Sequence, residues 1–161
     1  MMREMEENDF IVSKTDLKGR ITYVNRIFME MADYTEAELL GKPHNIIRHP
    51  DMPKAVFKLL WEMIQKDEEI FAYVLNKTKN GDAYWVYANI TPSFDEKGKK
   101  VGYYSVRRRP NKEALAIITS LYKQMVTAEK SAGVNAGTKV LTELLEEKGV
   151  GYNEFIISIQ K

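Results

Sequence analysis

Residues 70–109, IFAYVLNKTKNGDAYWVYANITPSFDEKGKKVGYYSVRRR, decide the fold. β-Branched and aromatic residues are concentrated in three runs of this stretch, which is typical of strands. These runs are Ile70–Thr78, Ala83–Phe94 and Lys99–Arg109. The first two are joined by Lys79-Asn80-Gly81-Asp82, and Asn-Gly between such runs is a strong hairpin signal. The stretch therefore predicts three consecutive antiparallel strands.

The segment before this stretch predicts a hairpin and then helices. Phe10–Asp16 and Ile21–Asn25 have strand composition and are joined by a turn at Gly19. A helical period follows in Arg26–Leu40, where Thr35 and Glu38 fit a capping box, and again in Lys54–Lys66. The order of elements predicts an α+β fold with a five-stranded antiparallel sheet and its helices on one face.

Beyond Pro110 the composition becomes helical. Asn111–Lys130 is amphipathic, and its apolar residues are spaced in heptad fashion over a run too short for a convincing coiled coil. A docking or dimer helix is expected there. A second amphipathic helix is expected over Asn135–Lys148, and Tyr152–Ile159 is expected to form a short strand.

Composition excludes several classes of protein. The 161 residues contain no cysteine and two histidines, so disulfides, thiol catalysis and Cys-ligated metals are excluded. The net charge of +1 gives no reason to expect nucleic-acid binding. No apolar run approaches the roughly 20 residues of a membrane span, so we expect a cytoplasmic protein without direct membrane insertion.

Catalytic and metal motifs are not found in the sequence. There is no Gly-rich phosphate loop and no HExxH, so we do not expect an enzyme. His44 and His49 lack a third ligand at suitable spacing, which disfavours zinc. Haem needs only one axial histidine and stays open as an alternative.

A charged cluster lies in Gly41–Pro53, GKPHNIIRHPDMP. Because prolines prevent a long helix here, the side chains of Arg48, His49 and Asp51 can converge. An arginine suits a pyrophosphate or a ring carbonyl, and an aspartate can accept from a ribose hydroxyl. The alternative is an internal Arg–Asp pair that only closes the loop.

The stretch from TDLKGRITYVN (residues 15–25) to GYYSVRRR (residues 102–109) resembles a PAS domain. Within that family it is similar to the flavin-binding type of the bacterial aerotaxis transducer (Aer) and to separate-chain, CetB-like energy-taxis proteins. GKPHNIIRHPDMP carries the strongest match, and NKTKNGDAYWVYAN, Asn76–Asn89, supports it.

The resemblance implies a non-enzymatic redox or energy sensor that holds FAD between its sheet and helices and signals to a chemoreceptor-like partner. Any membrane association would be through that partner. It implies a PAS domain at 10–110, an N-terminal cap at 1–9 and a C-terminal helical extension at 111–161.

Family ligand positions are carried over with identity to Arg48, His49 and Asp51, and Asn25 and Asn76 are also intact. Asn76 and Asn89 are expected to respond to flavin reduction. The sequence departs from the aerotaxis pattern at Ile70, where those proteins carry a tryptophan.

Aromatic residues form a second candidate set for the flavin. Phe57 and Trp61 share a helix face, while Tyr84 and Trp85 point to opposite sides of a strand, so one of that pair faces inward. We expect Phe57, Trp61 and Trp85 to flank the ring, with plain core packing as the alternative. The run Arg107–Arg109 is expected to be a solvated edge or a partner contact. A ligand-free PAS module that forms a homodimer or docks on a receptor remains the alternative function.

Overall fold

The computed structural model describes residues 1–161. Its strands are β1 Met2–Arg3, β2 Phe10–Thr15, β3 Ile21–Val24, β4 Ile70–Lys77, β5 Ala83–Phe94 and β6 Lys100–Arg108. Its α-helices are α1 Arg26–Ala32, α2 Glu36–Leu39, α3 Lys54–Gln65, α4 Lys112–Ala132, α5 Val134–Lys148 and α6 Tyr152–Ile159, and a 3₁₀ turn spans His44–Ile47.

Five strands form the predicted antiparallel sheet. The long strand β5 pairs with β4 along one edge and with β6 along the other, and β2 and β3 continue the sheet beyond β6. The short strand β1 adds a parallel pair, with Met2 opposite Ala83. The α+β prediction is confirmed, and β1 is a sixth strand that the sequence pattern did not predict.

Local signals fix the helices that follow the first hairpin. The Asn25 side chain caps α1, and the capping box of Thr35 and Glu38 is formed at the start of α2. The stretch expected to be helical from 26 to 40 is two helices, because Asp33 has a left-handed φ of 60°.

Strand alternation gives the sheet two different faces. The front face faces α3 and the 3₁₀ turn and carries Val74, Ala88 and Ile90. The back face is covered by the C-terminal helices: Tyr122 of α4 lies against Trp85, with ring centroids 6.0 Å apart.

The C-terminal helices pack on their own chain. The stripe expected to serve docking or dimerisation contains Ile118 and Met125, both 0% exposed and part of the main core. The expected strand Tyr152–Ile159 is wrong, because this segment is helix α6. Its β-branched and aromatic composition is overridden by packing, since Phe155 and Ile156 are buried on one side of a helix.

Candidate functional site

A cavity of about 320 Å³ lies between the front face of the sheet and α3. The helix contributes apolar side chains, and three strands contribute polar ones at alternate positions. The lining side chains used below are Ser13, Lys18, His44, Arg48, Phe57, Trp61, Asn76, Tyr103, Ser105 and Arg107. No aspartate or glutamate lines the cavity, so the charge that its walls carry is positive.

A polar cluster of Ser13, His44 and Arg107 forms one wall. Arg107 donates from Nη1 to His44 Nε2 at 3.0 Å and from Nη2 to Ser13 Oγ at 2.7 Å. Ser13 Oγ also lies 3.0 Å from His44 Nε2. Phe28 packs beneath the cluster, 5.0 Å from its ring centroid to Arg107 Cζ. The three side chains therefore hold one another in place at the cavity surface.

Arg107 is a buried cation without a counter-ion. It is 4% exposed, forms no salt bridge, and its Nε has no hydrogen-bond partner. Burial lowers its pKa to about 10, so it remains charged at neutral pH. Ser105 Oγ, on the same strand face, is also buried without a partner. Buried polar groups are normally satisfied, so two covered donors without a partner behind one cavity wall are unusual.

His44 is held neutral in this cluster. Burial and the neighbouring Arg107 charge lower its pKa to about 3. Because Arg107 can only donate, Nε2 of His44 is an acceptor in that contact. His44 Nε2 is thus already engaged by Arg107, which disfavours His44 as an axial haem ligand.

The mouth of the cavity is aromatic and cationic. The Arg48 guanidinium lies 3.6 Å from the centroid of the Phe57 ring, a cation–π contact, and burial lowers the Arg48 pKa. Trp61, 36% exposed, lies 5.8 Å from Tyr103 between ring centroids. Lys18 adds a further cation.

In a comparison with models of protein families, the family described as the PAS fold matches residues 21–107. The chain belongs to the PAS family. It is 41% identical to the aerotaxis receptor of Escherichia coli (strain K12) over 136 residues, which are 84% of this chain and 27% of the receptor. The chain therefore spans about a quarter of the length of that relative.

Solved structures with the same fold include sensory domains. The blue-light-activated histidine kinase of Erythrobacter litoralis EL346 matches with a TM-score of 0.60 and 16% identity, over 78% of this chain and 42% of the kinase. A light-oxygen-voltage domain studied with a flavin analogue matches with a TM-score of 0.59 and 23% identity, over 71% of this chain and 86% of that domain. These likenesses establish the PAS fold.

Four of the nine predicted ligand residues line the cavity of this PAS domain. They are Arg48, Phe57, Trp61 and Asn76. His49 and Asp51 lie next to the mouth but not on the cavity wall: the Asp51 side chain is 79% exposed, and its backbone N–H donates to His49 Nδ1 at 3.0 Å. The internal Arg48–Asp51 pair, which was the alternative to ligand binding, is not formed.

The other three predicted residues lie away from the cavity. Asn25 is a helix cap whose Oδ1 also accepts from the Val12 N–H at 3.0 Å. Trp85 faces the back of the sheet, because Tyr84 is the member of that pair on the front. Asn89 also lies on the back, where Nδ2 donates to Glu69 Oε1 at 2.8 Å.

Sequence reasoning missed the cluster of Ser13, His44 and Arg107. The arginine run was expected to be solvated, which is wrong for Arg107, although Arg108 does point to the opposite face, with Cζ 5.4 Å from the Tyr87 ring centroid. Strand alternation was the available signal, since Tyr103, Ser105 and Arg107 share one face.

No group of three or more His, Asp or Glu side chains is arranged to hold a metal ion. None of the helices has the length and apolar character needed to cross a bilayer.

Proposed function

We propose that this PAS domain binds FAD in the front cavity and acts as a redox sensor for energy taxis. The observation that carries the proposal is Arg107, a charged, buried side chain with an unpartnered Nε on the wall of a cavity that contains no acidic group. A buried charge of this kind is costly unless a ligand compensates it. The similarity to the aerotaxis receptor supports the same conclusion.

The residues present fit a flavin. An isoalloxazine ring is flat and apolar on its faces and carries carbonyl and nitrogen acceptors at its edge. Phe57 and Trp61 offer aromatic surfaces. Arg107 Nε and Ser105 Oγ are donors without a partner within the protein, and they lie covered behind the cavity wall, where a shift of either side chain would present them to the ring edge. Asn76, 4% exposed, adds an amide on the neighbouring strand.

The cavity volume of about 320 Å³ is at the small end of the ligand-pocket range, roughly 300–1,000 Å³. We therefore expect the ring to enter and the pyrophosphate and adenosine parts to extend through the mouth. Arg48 lies there with a guanidinium suited to phosphate, and the exposed Asp51 carboxylate is available to a ribose hydroxyl. His49 lies between these two residues, and its Nδ1 accepts from the Asp51 N–H at 3.0 Å.

A bound flavin supplies reversible electron uptake. Arg107 stays charged near neutral pH, and its contacts to Ser13 and His44 keep it on the cavity wall. A change in charge at the edge of the ligand therefore changes its electrostatic interaction with Arg107, whose position is already fixed. The resulting shift in conformation would be transmitted to the helices that contact the cavity. The expected recipient is a chemoreceptor-like partner. A homodimer of this chain is a second assembly to test.

The test compares two neighbouring arginines in the 161-residue chain. Arg107→Met removes the buried front-face cation, and Arg108→Met removes a cation from the opposite face as a control. We expect Arg107→Met to lower FAD affinity at least tenfold, because it removes charge-assisted contacts. Without ligand its stability should be equal to or above that of the wild type, because an unpaired buried charge is lost.

FAD uptake is measured by flavin absorbance and by identifying the cofactor released from the purified chain. Equal FAD affinity in the two variants would remove Arg107 from the site. A wild-type chain that takes up no flavin yet binds a receptor would favour the ligand-free docking module instead. A Soret band after purification would favour haem.

A further inference from the structure

Helix α3 begins without a cap of its own. Its N-cap residue is Pro53, whose side chain cannot accept a hydrogen bond, although the first N–H groups of a helix need acceptors. The acceptor comes from α4. Glu129 Oε1 accepts from the Lys54 N–H at 2.8 Å, and Oε2 accepts from the Ala55 N–H at 3.0 Å. A carboxylate at this end also interacts favourably with the helix dipole.

The start of α5 leaves room for this carboxylate. Gly137 is buried within α5, and a Cβ atom at that position would overlap the Glu129 side chain. Glycine is unfavourable inside a helix, so its presence here is explained by close approach and not by helix propensity. A second contact joins the same helices, since Lys58 Nζ donates to Asn135 Oδ1 at 3.2 Å.

The capped end of α3 lies next to the mouth of the cavity. Phe57, three residues after Lys54, carries the Arg48 guanidinium on its ring. Between them the chain is attached to the sheet, because the His49 N–H donates to the Leu75 carbonyl at 3.3 Å. A local turn follows, in which the Met52 N–H donates to the His49 carbonyl at 3.2 Å. Displacement of the start of α3 would therefore shift Phe57 relative to Arg48 and strain the hydrogen bonds that hold the segment between them.

We propose that Glu129 is a positioning residue that couples the cavity mouth to the C-terminal helices through the start of α3. This inference rests on the proposed function only for the identity of the ligand. Thermodynamic coupling is reciprocal: if the Glu129 contact favours the ligand-binding arrangement of Phe57 and Arg48, ligand binding strengthens the Glu129 contact. Ligand binding in the cavity thereby changes the strength of the contacts that α4 and α5 make with α3.

The experiment uses five variants of the 161-residue chain, four at Glu129 and Gly137 and one control. Glu129→Ala removes the cap, and Glu129→Gln keeps an acceptor oxygen without the charge. Gly137→Ala keeps glutamate at position 129 but pushes its carboxylate away from the start of α3. In the double variant Glu129→Ala/Gly137→Ala there is no carboxylate to push away. Glu143→Ala is the control, because Glu143 is 63% exposed on α5 and pairs only with Lys139.

Amide hydrogen exchange in the ligand-free chain gives the first measurement. We expect the His49 and Met52 amides to exchange about fivefold faster in Glu129→Ala and in Gly137→Ala, as for loss of a helix cap. Glu129→Gln should be intermediate. The double variant should exchange no faster than Glu129→Ala, because both substitutions act on one contact. Faster exchange confined to the Lys54 and Ala55 amides would overturn the coupling, because Glu129 would then act only as a cap for α3.

FAD affinity gives the second measurement. The dissociation constant should rise about fivefold in Glu129→Ala and Gly137→Ala and stay unchanged in Glu143→Ala. An unchanged constant in Glu129→Ala, with FAD binding normally to the wild type, would overturn the coupling. If the wild type binds no FAD, the proposed function fails, and the exchange of His49 and Met52 still decides whether Glu129 positions the mouth.

Discussion

The front and back faces of one sheet differ in how completely they are filled. On the back, Tyr73 and Tyr87 lie 5.1 Å apart between ring centroids, and Tyr122 donates from its hydroxyl to the Tyr73 carbonyl at 2.6 Å. On the front, the same strands border an open cavity with an unpartnered guanidinium nitrogen and an unpartnered hydroxyl. The back is therefore closely packed, while the front leaves space for a ligand.

The contrast extends to the helices. Helix α4 places its fully buried residues against the back of the sheet, whereas α3 directs Phe57, Leu60 and Trp61 toward the cavity. Both stripes have helical spacing in the sequence. An apolar stripe on a helix therefore identifies a covered face, but it does not distinguish a filled core from a cavity wall.

The largest expected effect is on the back face. Ile118→Asp with Met125→Asp places two carboxylates at positions that are 0% exposed, and each buried charge costs several kcal/mol. We expect the chain to lose its cooperative unfolding transition in circular dichroism. Ile117→Asp is the matched control, because Ile117 is 44% exposed on the same helix. If the double variant folds normally and differs only in no longer forming a dimer, the α4 stripe serves assembly and not the core of the back face.

The two tryptophans test the faces directly. Trp85→Ala should lower the free energy of unfolding of ligand-free protein by about 3 kcal/mol and leave FAD affinity unchanged. Trp61→Ala should cost about 1 kcal/mol or less, because Trp61 is 36% exposed, and should weaken FAD binding. Urea unfolding and flavin titration of both variants provide the comparison. Equal stability losses with equal FAD affinities would remove the distinction.

Acid should act on the front face through His44. Its folded pKa of about 3 lies below the ordinary 6.5, so the unfolded chain binds the extra proton between these values. Stability from this residue is full above pH 6.5 and is lost as the pH falls toward 3. Between pH 7 and 5 we expect a loss of up to about 2 kcal/mol.

His44→Asn provides the control for that pH dependence, since an amide oxygen can still accept from Arg107 but does not titrate. The variant should show a flatter loss of stability over the same interval in urea unfolding at each pH. Identical slopes for wild type and variant would show that His44 does not carry the effect.

The smallest expected effect separates a cap from a ligand contact. Asn25→Ala should lower the free energy of unfolding by about 1 kcal/mol, because Asn25 caps α1 at the Phe28 N–H. Its FAD affinity should match that of the wild type, since Asn25 lies outside the cavity. Asn25→Asp keeps the cap oxygen and is the matched control for stability. A fall in FAD affinity with unchanged stability would place Asn25 in the site.

Much of the fold follows from local chemistry that is visible in the sequence. The turn at Asn80-Gly81, the capping box of Thr35 and Glu38, and the apolar period of α3 each act within a few residues, so their patterns predict the observed elements. Helix α6 could not be predicted in this way, because Phe155 and Ile156 are ordered by contacts with distant parts of the chain.

The candidate site was only partly predictable for a related reason. Arg48, Phe57, Trp61 and Asn76 were found from motif and spacing, and the structure brings them to one cavity. Arg107 was missed because a run of three arginines is usually solvated, and only the pairing of β6 with β2 shows that Arg107 faces Ser13 and His44. Trp85 and Asn89 were placed in the site because sequence does not show which sheet face borders the cavity.

The outer edge of β4 is closed by side chains from elsewhere in the chain. Asn153 of α6 accepts from the Phe71 N–H at 3.0 Å and donates to the Glu69 carbonyl at 2.9 Å, while Met52 Sδ accepts from the Leu75 N–H at 3.2 Å. These contacts occupy backbone groups that an incoming strand would need. This edge of the sheet is therefore protected against the addition of a strand from another chain, and so against edge-to-edge aggregation at high protein concentration.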